Sequence, residues 1–87
     1  MKYKILDLFC GAGGFSYGLD SLDNFQTVIG VDFDKSVLET FEHNIKGSIT
    51  ICGDLIDDNL KQTVIQKSKK LGVNMIIGGP PCQGFSL

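Results

Sequence analysis

Short apolar runs rich in β-branched residues alternate along this chain with stretches of helical periodicity, and that alternation restricts the fold more than any other feature. Lys4-Ile-Leu-Asp-Leu-Phe9, Thr27–Val31, Ser48–Cys52 and Val73–Ile77 read as strands. Between them Phe15, Leu19 and Leu22 recur at helical spacing, then Val37, Leu38, Phe41 and Ile45, then Leu60, Val64, Ile65 and Leu71. Asp34 is placed to cap the second helix, because its carboxylate can accept first-turn amides. Gly47 follows the end of that helix and Gly72 closes the third. The order β-α-β-α-β-α-β predicts an α/β fold with a parallel sheet and right-handed crossovers.

The chain has 87 residues, which allows one domain at most. A chain of this size buries roughly 60–65% of its unfolded surface and folds with little margin. The formal charge is −2, and the densest cationic group is Lys67, Lys69 and Lys70, expected on the solvated face of a helix. That is no basic footprint. If nucleic acid is the substrate, most phosphate contacts are expected outside these residues. Three cysteines, Cys10, Cys52 and Cys82, form no CxxC, and His43 alone could join them, so neither a disulfide framework nor a metal site is expected. No signal peptide or membrane span is legible, and the chain reads as cytoplasmic with reduced thiols.

The unusual residues fall where each expected strand ends. Phe9-Cys-Gly-Ala-Gly-Gly14 follows the first strand, Asp32-Phe33 the second, Gly53-Asp54 the third, and Gly78-Gly-Pro-Pro-Cys-Gln-Gly84 the fourth. Open α/β sheets bind ligands outside the carboxyl ends of their strands. Glycines admit close backbone approach and positive φ, though their spacing here is not G-x-G-x-x-G. Asp32 lies roughly twenty residues after the glycine run, where an acid accepts hydrogen bonds from ribose hydroxyls in nucleotide-binding folds. Phe33 could stack on a purine or simply pack. Asp54 could accept from an adenine amine or be an ordinary turn residue. Pro80 and Pro81 fix the approach to Cys82, which suits a held nucleophile. A structural role suits Cys10 and Cys52 better, Cys52 especially, as a buried small apolar residue.

Together DLFCGAGGFS, VDFDKSVLETFEHN, GDL and GGPPCQGFS resemble the opening motifs of the cytosine-5 DNA methyltransferases, from Ile5 to Leu87. The resemblance implies a Rossmann-like S-adenosylmethionine-dependent methyltransferase fold, of which residues 1–87 would supply the N-terminal half of the sheet. It implies that Phe9, Gly11 and Gly14 border the methionine and sulfonium part of S-adenosylmethionine. Asp32 would hold the ribose, Phe33 the adenine face, and Asp54 the adenine amine with Leu55 alongside. Pro81 would lie near the target base, and Cys82 would be the nucleophile that adds to carbon 6 of a flipped cytosine.

On the composition given above, no metal and no membrane partner is expected. The same resemblance implies double-stranded DNA as partner and a restriction-modification setting. It further implies that the chain ends in the catalytic loop, that the DNA-recognition domain lies elsewhere, and that these residues alone are inactive. A complementary methyltransferase chain is then a further expected partner. Two other readings stay open: methylation of cytosine in RNA, and a non-catalytic subunit or remnant of a split methyltransferase.

Overall fold

A computed structural model of the chain describes residues 2–8 and 14–78. The elements are β1 (Tyr3–Leu8), α1 (Gly14–Asp20), β2 (Phe25–Asp32), α2 (Lys35–Asn44), β3 (Ile49–Cys52), α3 (Asp58–Leu71) and β4 (Met75–Gly78). Their order is the expected β-α-β-α-β-α-β.

All pairings are parallel, in the order β3-β2-β1-β4. The chain steps outward from β1 to β2 to β3, then returns to the other side of β1. With right-handed crossovers this reversal puts α3 on the face opposite to α1 and α2. The packing agrees. Phe41 of α2 lies over Gly30 on one face, while Val64 of α3 packs with Leu6, Leu8 and Val31 on the other. Strands covered on both faces must be apolar on both, which explains the unbroken run of buried residues from Ile5 to Leu8 and from Thr27 to Val31. The β1–β2 register shifts between Ile5 and Leu6, so Val28 has no partner on β1.

Each helix boundary has a local cause. Asp34 caps α2, accepting from the Ser36 and Val37 amides. Asp57 caps α3 through Asn59 and Leu60. Gly72 ends α3 in the left-handed region at φ 73°, and its amide donates to the Lys69 and Ser68 carbonyls. Lys67, Lys69 and Lys70 are exposed on α3, as expected, and His43 is exposed on α2.

Strand β1 is shifted one residue toward the N-terminus of its sequence reading and β2 is longer at both ends, and three further boundaries differ for a local reason. Helix α1 ends at Asp20, and Leu22 stands 53% exposed in the following turn. There Asp20 Oδ1 accepts from the Thr27 amide at 2.8 Å and the Thr27 hydroxyl at 3.0 Å, which draws the chain off the helix axis into β2. Strand β3 starts at Ile49, because the Ser48 amide turns back to the Ile45 carbonyl. Strand β4 starts at Met75, because the Val73 amide is spent on the Ser68 carbonyl at the end of α3.

Candidate functional site

The parallel register aligns the carboxyl ends of all four strands. Leu8 lies between Val31 of β2 and Gly78 of β4, and Asp32 is opposite Cys52 of β3. The strand ends from which the glycine-rich run and the Pro-Pro-Cys run depart are therefore neighbours. They flank the point where the strand order reverses, the place at which an open α/β sheet forms a crevice.

Two segments of this edge are bonded to one another. The Gly53 amide donates to the Asp32 carbonyl at 3.0 Å, and the Cys52 thiol donates to the Phe33 carbonyl at 3.6 Å. Asp32, half-buried, accepts from the Asp34 amide through Oδ1 at 3.1 Å. Phe33 is 70% exposed, an aromatic face presented beside a carboxylate. Asp54 is exposed, and its Oδ1 accepts from the Ile56 amide at 2.9 Å, which fixes the turn into α3. A carboxylate at each of two adjacent strand ends with an aromatic ring beside one of them can accept hydrogen bonds from hydroxyls and an amine and cover a flat ring. A nucleoside offers all three.

Other expected residues stand differently. The Leu55 side chain is 6% exposed and packs into the core with Leu8, Val31 and Val64; the exposed apolar side chain of that turn is Ile56, at 78%. Cys52 is exposed, which corrects its reading as a buried small apolar residue: it ends an edge strand that has a neighbour on one side only. Gly14 begins α1. Phe9, Cys10, Gly11, Pro81 and Cys82 lie outside the described residues.

One polar pair went unnoticed in the sequence. Asp7 of β1 and Ser16 of α1 are both buried, and the Ser16 hydroxyl donates to Asp7 Oδ2 at 2.5 Å. Burial raises the Asp7 carboxyl to about 6; the Ser16 bond opposes that rise and the Asp32 charge adds to it. The sequence signal was a lone carboxylate inside the otherwise apolar Ile5–Phe9 run.

An apolar groove of about 690 Å³ also runs between α3 and edge strand β4, lined by Ile65, Ser68, Val73, Met75 and Ile76. Among the described residues it is uncovered sheet flank, and it lies away from the acidic strand ends. Among the described residues no cluster of His, Cys, Asp or Glu could hold a metal ion, and no helix is long and apolar enough to cross a membrane.

Comparison with known proteins agrees with this geometry. The family described as C-5 cytosine-specific DNA methylase matches residues 3–87. The type II methyltransferase M1.HphI of Haemophilus parahaemolyticus is 37% identical over the whole chain, which spans 23% of that relative's length. M.AquIA of Picosynechococcus, also a type II methyltransferase, is 37% identical over the whole chain and is spanned to 35%. Among solved structures, a candidate DNA modification methyltransferase encoded within an Escherichia coli prophage superposes on 98% of the chain with a TM-score of 0.73 at 30% identity; the chain covers 24% of it. Spodoptera frugiperda DNMT2 superposes on 99% of the chain with a TM-score of 0.70 at 28% identity, and 25% of it is covered. A sheet with its acidic residues at two neighbouring strand ends, and a match that runs through both glycine-rich runs, lead to one conclusion: the chain belongs to the C-5 cytosine-specific DNA methylase family.

Proposed function

We propose that the protein is a DNA (cytosine-5-)-methyltransferase of a restriction-modification system, and that residues 1–87 belong to its S-adenosylmethionine-dependent catalytic domain. The observation that carries the reading is the alignment of Leu8, Asp32, Cys52 and Gly78 along one sheet edge. It gathers Asp32-Phe33, Gly53-Asp54 and the departure points of the two glycine-rich runs. The type II names of the relatives favour DNA over RNA as the substrate.

The residues fit S-adenosylmethionine. Asp32 is the acceptor for the ribose hydroxyls, the exposed ring of Phe33 covers the adenine, and Asp54 accepts from the adenine amine. Phe9, Gly11 and Gly14 are assigned to the methionine end, and Leu55 acts by anchoring the turn that carries Asp54. When bound, S-adenosylmethionine supplies an electrophilic methyl group at carbon 5 of the base.

Cys82 does the covalent work on a cytosine flipped out of double-stranded DNA, with Pro81 beside the base. Its thiolate bonds to carbon 6, and the electron pair of the 5,6 double bond moves to carbon 5, which is then nucleophilic. After methylation, loss of the carbon-5 proton to a base and expulsion of the Cys82 thiolate restore the ring. Dividing one hard substitution into addition and elimination is the gain of covalent catalysis.

The test uses the complete protein and a duplex carrying 5-fluorocytosine, where fluorine replaces the proton that must leave. A stable protein–DNA adduct mapped to Cys82, lost in Cys82→Ser and kept in Cys52→Ser, is the expected result. An adduct at Cys10 or Cys52, or undiminished trapping by Cys82→Ser, overturns the assignment.

A further inference from the structure

Asp7 and Ser16 stand on either side of the glycine-rich run, Asp7 one residue before the end of β1 and Ser16 in the first turn of α1. Both are buried, and one hydrogen bond of 2.5 Å joins them across nine positions of sequence. In a bond of this type an ionised acceptor strengthens the contact. The cross-strand partners of Asp7 are Gly30 and Ile77, neither charged. Among the described residues the charged group acting on it is Asp32, at the end of the neighbouring strand, and that carboxylate opposes ionisation.

For stability alone this is a poor arrangement. A carboxylate in a covered α/β interior is desolvated, and an apolar pair of the same volume would close the space without that cost. What the bond provides and an apolar contact does not is direction: it fixes the first turn of α1 relative to the end of β1 at a set distance. The segment between those two points carries Phe9 and Gly11, and Gly14 starts the helix.

We propose that Asp7 and Ser16 form a positioning pair that sets affinity for S-adenosylmethionine by holding α1 against the carboxyl end of β1, without either residue touching the ligand. This rests on the cofactor reading given above. The pair works best with Asp7 ionised, because the charged acceptor gives the stronger bond. The carboxylate also adds to the negative potential of Asp32 facing a ligand of net positive charge.

The experiment measures S-adenosylmethionine affinity calorimetrically in the complete protein for wild type, Ser16→Ala, Ser16→Thr, Asp7→Asn and the Ser16→Ala/Asp7→Asn double variant. DNA KM and melting temperature are followed in parallel. Ser16→Ala removes the bond and Asp7→Asn removes the charge of its acceptor. Ser16→Ala should weaken cofactor binding about tenfold, as loss of a hydrogen bond to a charged group does, and Asp7→Asn by no more than that. The double variant should be no worse than Ser16→Ala alone. Ser16→Thr should restore most of the affinity, and DNA KM should not move.

Wild-type affinity should fall as pH drops from about 7.5 to 5.5, while Asp7→Asn stays flat. A merely structural Asp7 gives the reverse tendency, since protonation relieves its burial and stabilises the fold. Variants that melt lower yet bind the cofactor like wild type overturn the proposal, as does additivity in the double variant. A pH-independent wild-type affinity also overturns it, even if the substituted chains fail to fold. A wild type that binds no S-adenosylmethionine at all overturns the functional reading as well, so the two failures are distinguishable.

Discussion

The ring of Phe41 is packed against the backbone of Gly30 so closely that a Cβ at residue 30 would lie 2.5 Å from Cε1, 2.7 Å from Cζ and 2.9 Å from Cδ1. Gly30 is in the middle of β2, and Phe41 is fully buried on α2. The missing side chain is what lets α2 sit down on the sheet and bring Asp34, and with it the Asp32-Phe33 strand end, into register.

Gly30→Ala should therefore destabilise the fold by about 1–3 kcal/mol through overpacking, despite the better strand propensity of alanine. Chemical denaturation measures it. Adding Phe41→Leu should recover part of the loss, because the smaller side chain vacates the space that the new methyl needs. A double variant worse than the sum of its parts would show that the contact is not what limits residue 30.

Removing the Asp32 carboxylate in Asp32→Ala should weaken S-adenosylmethionine binding by about 1.5–3 kcal/mol, the usual cost of losing hydrogen bonds to a charged acceptor. Calorimetry on the complete protein reads it. Unchanged affinity would remove Asp32 from the ribose site.

Phe33 and Leu55 should separate binding from stability. Phe33 is 70% exposed, so Phe33→Ala should shift stability by no more than about 0.5 kcal/mol. Its effect should be on cofactor affinity. Leu55→Ala should instead destabilise by about 2–5 kcal/mol, since it empties a site in the core. Thermal melts with and without cofactor distinguish the two.

Asp7 and Asp34 should move stability in opposite directions with pH. The Ser36 side chain, then the Val37 amide, hold the Asp34 carboxyl below its ordinary value. Its charge-dependent contribution is present above the ordinary carboxylate range and is lost as pH falls through its own lower value, so Asp34→Ala should cost more stability at neutral pH than in strong acid. The Asp7 carboxyl is raised to about 6, chiefly by burial. The folded state holds that proton more tightly than the unfolded chain, so Asp7 opposes folding fully above a pH of about 6, and the penalty fades as pH falls from there toward the ordinary value of 3.8. Asp7→Asn should flatten that part of the melting profile.

The sequence by itself determined the element order, because strand and helix periodicities are local and each is set by a few neighbouring residues. It determined the caps at Asp34 and Gly72 for the same reason: a carboxylate before a first turn and a glycine after a last one act within four residues. It also carried the family, since the glycine-rich runs and the Pro-Pro-Cys run are chemically restrictive wherever they fold. Local reasoning failed where a side chain's partner is distant in sequence. Leu22 suits a helix face by spacing, yet Asp20 turns the chain toward Thr27 before that face is reached. Cys52 has the composition of a buried position, but only the strand order β3-β2-β1-β4 puts it on an edge. Leu55 and Ile56 are neighbours of like chemistry, and packing against Val31 and Val64 decided which one is buried. Asp7 showed only as a charge in an apolar run; the Ser16 hydroxyl that accounts for it lies on a helix beyond the glycines, and tertiary structure alone brought the two together.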